Sequence, residues 1–111
     1  MGKEIEVLPK VYDFTLYFSK KYTNYPKKYK FTLGERINVH LFDLLEHIIE
    51  AKYTIKKKRF LFSANMSLEK LRFMIRISKD LECITAKEFE HMARSINEIG
   101  GMIGGWLKGA E

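Results

Sequence analysis

The chain has few of the residues that break or staple a fold. Of its 111 residues only two are proline, Pro9 and Pro26, and one is cysteine, Cys83. A single thiol excludes an internal disulfide, and without a CxxC pair or a Cys/His cluster there is no zinc motif. Cys83 reads as a small buried apolar residue. No stretch alternates apolar and polar residues as a half-buried strand does, which argues against β structure. Long hydrophobic runs are missing too. The longest uncharged apolar run, Ile99 to Leu107, falls far short of the roughly 20 residues that cross a bilayer. The opening MGKEIEV lacks a signal-type apolar segment, so a cytoplasmic protein without a membrane partner is expected. There is no internal repeat or low-complexity tract. An apolar content of 46% with 14% aromatics suits one globular domain over residues 1–111.

What the chain does have is helical periodicity. Leu8, Val11, Thr15, Phe18, Tyr22 and Tyr25 recur at steps of three and four, predicting a helix over about 8–25 with Pro9 in its first turn. Ile37, Leu41, Leu44, Ile48, Ala51 and Ile55 predict a second over about 33–56. Leu61, Ala64, Leu68, Leu71 and Ile75 mark a third over about 60–81, and Phe89, Met92, Ile96, Ile99, Ile103 and Trp106 a fourth over about 86–107. Thr32-x-x-Glu35 and Thr85-x-x-Glu88 fit capping boxes before the second and fourth. Short joints between such helices favour an all-α, up-down-up-down four-helix bundle.

Two helices carry more apolar surface than one bundle can bury. Opposite its core stripe the second presents Val39, Phe42, Ile49 and Tyr53, and the third presents Phe62, Met66, Phe73 and Ile77. Contiguous exposed apolar patches are rare on soluble monomers, so these residues are expected to form a homo-oligomer interface. Into GGMIGGWLKG, residues 100–109, the core-facing arc of Ile99, Met102, Ile103, Trp106 and Leu107 continues past Gly100, Gly101, Gly104 and Gly105. The helix is expected to persist, with Gly101, Gly104 and Gly105 on its outer side. Four interior glycines cost about 3 to 4 kcal/mol relative to alanine, a loss that close approach of a neighbouring subunit would offset. The competing reading is a glycine cap near Gly100 and a frayed remainder.

Catalytic groupings are scarce. His40, Asp43, His47 and Glu50 share one flank of the second helix, but hydrogen-bonded polar residues bordering a core explain them as well as a metal does. A di-iron bundle needs two Glu-x-x-His motifs, and only Glu88-x-x-His91 is present. No catalytic residue, metal or other cofactor is expected, and the chain reads as a binding protein rather than an enzyme.

The cations are better organised. A net charge of +6 and twenty Lys+Arg favour polyanionic partners. Lys20, Lys21, Lys27, Lys28 and Lys30 surround the first joint, interleaved with Tyr22, Tyr25 and Tyr29, a mixture suited to holding phosphates and stacking bases, although Tyr22 and Tyr25 read as core rather than as stacking platforms. Lys56, Lys57, Lys58 and Arg59 mark the second joint, at the opposite end of an antiparallel bundle. Arg72, Arg76 and Lys79 line one side of the third helix beside its outer apolar stripe. Such clusters can hold phosphates, or can simply be solvated faces and helix ends.

The chain also resembles the accessory variability determinant (Avd) proteins of diversity-generating retroelements. The resemblance rests on KFTLGERI at 30–37, LLEHIIEA at 44–51, the pattern Asn65, Leu68, Glu69, Leu71, Arg72, Arg76, and NEIGGMIGGWLK at 97–108. It implies a four-helix bundle that assembles into a basic, ring-like homopentamer, binds the element's reverse transcriptase and contacts RNA or DNA. It also implies a protein without catalysis of its own, assisting mutagenic copying of a template RNA into cDNA and retrohoming. The resemblance implies that basic third-helix residues bind partners, and motif alignment carries that role to Arg72 and Arg76. Similar bundles are encoded in intervening sequences of ribosomal RNA genes, which supplies the alternative of a homo-oligomeric protein-interaction module without nucleic acid.

Overall fold

The computed structural model describes residues 2–110, with side chains from residue 6 onward. Among them there are four long helices and no strand: α1 (Gly2–Tyr22), α2 (Glu35–Lys52), α3 (Lys57–Asp80) and α4 (Ala86–Gly109). Between α1 and α2 lie a single α-turn, Lys27–Tyr29, and a π-helical turn, Lys30–Gly34. Each long helix packs against two neighbours, in the order α1, α2, α3, α4 and back to α1, as an up-and-down bundle requires. The bundle is 44 Å long and 23 by 19 Å across.

The stripes read from spacing build the core. Val11, Phe18, Ile37, Leu41, Leu44, Ile48, Leu61, Leu71, Met92, Ile99 and Ile103 are fully buried, and each removes roughly 1.5–3 kcal/mol of apolar side chain from water. Tyr25 is buried and Tyr22 packs against the core. Cys83 is buried, and burial pushes its thiol above the ordinary value.

Three local expectations are corrected. α1 begins at Gly2, so Pro9 lies inside it rather than in its first turn, and buried Val7 extends its stripe upstream of Leu8. α1 ends at Tyr22, and α2 ends at Lys52, leaving Ile55 in the joint and 91% exposed rather than in the core. The helical period ran past both helix ends because apolar residues happened to follow at the right step.

Thr32 does not cap α2. The π-helical turn runs straight into that helix, so the Glu35 amide already bonds to the Lys30 carbonyl and no orphan amide is left for a side chain. The Thr32 hydroxyl instead donates to the Tyr29 carbonyl at 3.4 Å. Thr85 does form its box, accepting from the Glu88 amide at 3.0 Å while Glu88 Oε1 accepts from the Thr85 amide at 2.9 Å.

Candidate oligomer and nucleic-acid surfaces

The topology gathers four helix ends at each tip of the bundle. At the first tip Lys21 Nζ lies 3.1 Å from Glu88 Oε2, tying the end of α1 to the start of α4. Lys79, which the sequence places with Arg72 and Arg76, also belongs here, 5.1 Å above the Phe89 ring. Lys20, Lys27 and Lys28 are exposed at this tip, and Lys30 is half-buried. At the other tip Lys56, Lys58 and Arg59 are exposed.

Lys57 differs from its neighbours in the KKKR run. Its ammonium turns back to donate to the carbonyls of Ala51 at 2.8 Å, Thr54 at 3.0 Å and Lys52 at 3.3 Å, and it lies 5.9 Å from the Trp106 ring. These include last-turn carbonyls of α2 that no helical amide satisfies, and a cation at that end also suits the helix dipole. The geometry makes Lys57 a helix cap.

Along α3, Arg72 and Arg76 both face solvent with local partners. Arg72 Nη1 donates to Asn97 Oδ1 at 2.6 Å and its Nε lies 3.5 Å from Glu69 Oε1. Arg76 Nε lies 3.7 Å from Asp80 Oδ2. Pairs this exposed contribute little to stability and exchange readily for another anion.

All eight residues of the two outer stripes are exposed, from 40% at Ile49 to 78% at Tyr53. Beside the α3 stripe a surface groove of about 540 Å³ runs between α3 and α4, walled by Phe62, Met66 and Arg72, with Gly100 and Gly101 on its α4 side. A Cβ at Gly101 or Gly104 would meet nothing within 4 Å, whereas one at Gly100 would touch Leu68 at 3.3 Å. Gly105 is half-buried. α4 stays helical through its glycines to Gly109, with Gly101 exposed and Gly104 half-buried without a neighbour where its Cβ would stand.

The histidine flank of α2 resolves into two separate pairs. His47 Nδ1 lies 3.2 Å from Glu50 Oε1, and His40 Nδ1 lies 3.9 Å from Asp43 Oδ2. Burial, with Lys70 nearby, holds His40 below the ordinary imidazole value. Among the described residues no group of three His, Cys, Asp or Glu is placed to hold a metal.

Sequence spacing missed several surface features. Tyr12 and Leu16 are exposed on α1, and Tyr12 joins Leu8, Leu45 and Ile49 around a second, apolar groove between α1 and α2. Their i, i+4 spacing outside the Val11/Thr15/Phe18 stripe was the available signal. Phe31 is also exposed, and the alternation of cation and ring in KKYKF was its signal. Asn38 Oδ1 is buried with no hydrogen-bond partner, which nothing in the sequence indicated.

A bAvd-like family model matches residues 7–110. The chain belongs to the bAvd-like family. That family consists of non-catalytic accessory proteins, and an Avd-type accessory role is supported at that level. Among solved structures the bAvd-like chain is similar to a protein of unknown function from the S23 ribosomal protein family of Bacteroides thetaiotaomicron. The two share 18% identity with a TM-score of 0.88, over 96% of this chain and 98% of that one. At that identity the likeness establishes the shared fold. A comparison with curated proteins found no match. No helix among the described residues is long and apolar enough to cross a membrane.

Proposed function

We propose that this bAvd-like protein is a cytoplasmic, homo-oligomeric accessory subunit of a diversity-generating retroelement. In this reading it docks on the element's reverse transcriptase and contacts template RNA or cDNA during mutagenic copying and retrohoming. The observation that carries the reading is on α3, where Arg72 borders a groove beside an apolar stripe that is 45–66% exposed. That combination suits an assembly with two kinds of contact: the apolar stripe supplies association energy between copies, and the cations at its border supply orientation and phosphate contact to the other partners. The stripes of α2 and α3 and the bare glycine side of α4 are assigned to contacts between copies, with five as the family's subunit number. Lys20, Lys27, Lys28 and Lys30 at one tip and Lys56, Lys58 and Arg59 at the other are assigned to phosphates.

Co-purification tests this reading. Tagged protein should recover the reverse transcriptase when the two are co-expressed, and Arg72→Glu/Arg76→Glu should lose it while retaining the helical circular dichroism of the parent. Recovery unchanged by the double reversal would refute the assignment of those arginines. The alternative, a protein-interaction oligomer that ignores nucleic acid, is favoured by one observation: both arginines already have carboxylate partners, Glu69 and Asp80. It predicts an oligomer whose mass and composition are indifferent to added RNA.

A further inference from the structure

The turn between α1 and α2 carries a surface that the apolar stripes do not explain. Gly34 is buried there, and a Cβ on it would lie 2.8 Å from a carbon of the Tyr22 ring. Only a residue without a side chain lets the π-helical turn press this closely on α1. π-helical turns are rare and occur frequently at functional sites. This one leaves Phe31 62% exposed. Lys30 Nζ lies 5.7 Å from the centroids of both the Tyr22 and Phe31 rings, and Lys28 Nζ lies 5.4 Å from that of Tyr29. Among the described residues no carboxylate forms an ion pair with Lys27, Lys28 or Lys30.

We propose that this turn is a stacking platform for single-stranded nucleic acid, with Phe31 as the ring that receives a base and Lys27, Lys28 and Lys30 as phosphate contacts. The proposal rests on the nucleic-acid part of the function above and specifies its surface and strand form. A single strand offers a flat apolar base and an anionic phosphate in each repeat, matching a water-exposed ring set among uncompensated ammonium groups. A protein partner covering Phe31 would have to bury Lys30 with it, and charged residues are depleted in the cores of such interfaces. A duplex fits poorly, because its bases already stack on one another and present only edges and phosphates.

Fluorescence anisotropy with a labelled, mixed-sequence single-stranded oligonucleotide, and with the same strand annealed to its complement, tests this. Phe31→Ala should weaken single-strand binding about tenfold and change duplex binding less than about twofold, whereas Phe31→Tyr retains both. Lys28→Ala/Lys30→Ala should weaken both forms and flatten the salt dependence. Phe31 lies at the surface, and circular dichroism verifies that the variants fold. The platform is overturned if folded Phe31→Ala binds the single strand as the parent does, or if it loses both forms equally. It is also overturned if the substitution changes the solution mass, which assigns Phe31 to a protein contact. Loss of binding in Arg72→Glu/Arg76→Glu with none in Phe31→Ala removes the platform and keeps the broader reading. A parent protein that binds neither form removes the platform and the nucleic-acid role together, leaving reverse-transcriptase docking to the co-purification.

Discussion

The Tyr25 hydroxyl donates to Ser78 Oγ across 2.7 Å, joining the loop after α1 to the end of α3, while Ser78 donates to the Met74 carbonyl at 3.0 Å. Tyr25→Phe removes one donor and leaves a buried acceptor short of a partner. It should cost about 1 kcal/mol, lowering the melting temperature by about 4 °C. Burial pushes the Tyr25 phenol up from 10 to about 12. An acid whose folded-state value is raised contributes no loss below the unfolded value, and stability then falls as pH rises from 10 toward 12. Melting curves across that range should decline more steeply for the parent than for Tyr25→Phe.

Glu88 predicts the acid limb. Its hydrogen bond with the Thr85 amide, followed by the neighbouring Lys21 ammonium, holds the carboxyl below the ordinary glutamate value. A depressed carboxylate stabilises the fold above its unfolded value, and that contribution disappears as pH falls through the folded one. Glu88→Gln keeps an acceptor for the cap and should flatten the decline in melting temperature below about pH 4.5. Thr85→Ala should cost about 1 kcal/mol at every pH, because it removes the other half of the box.

Lys57 should separate from the cations beside it. Lys57→Ala leaves α2 carbonyls without their donor and should destabilise the fold by about 1–2 kcal/mol. Lys56→Ala and Lys58→Ala should stay within about 0.5 kcal/mol of the parent. Salt-dependent binding to nucleic acid should show the opposite ranking, with Lys58 and Arg59 contributing and Lys57 not.

The bare side of α4 sets two effects against each other. A Cβ at Gly101 or Gly104 meets open space within one chain, so alanine should improve helix propensity by up to about 1 kcal/mol at each site. If copies approach the backbone there, the same methyl groups obstruct them. Gly101→Ala/Gly104→Ala should therefore weaken self-association, measured by dilution, while leaving α4 at least as helical as in the parent.

The bundle was legible in the sequence because a 3.6-residue period and short joints leave few alternatives. Burial at Ile37, Leu44, Leu71 and Ile99 follows directly from spacing, as does exposure at Phe42 and Phe73. The joints were harder to read. Thr32 and Glu35 have the spacing of a capping box, but a box needs free amides, and whether helical turns precede it depends on how Gly34 packs against Tyr22. The direction taken by Lys57 was equally hidden. Composition counts four adjacent cations, whereas the C-terminal carbonyls of α2 decide which of them turns inward. Phe31 went unread because an aromatic beside a helix start is ordinarily assigned to the core.

Exposed apolar stripes on two adjacent helices remain the feature from which the functional reading grows. Phe73, at 66% exposure, lies on the outer stripe of α3 and can be changed without touching the buried face. The most direct test is the solution mass of the parent and of Phe73→Lys, measured by light scattering after size-exclusion chromatography. The parent should run as a multiple of its 13.1 kDa chain, and the charged variant should shift toward the single chain with its helical content intact. A parent that elutes at 13.1 kDa at all working concentrations would contradict the account at its base.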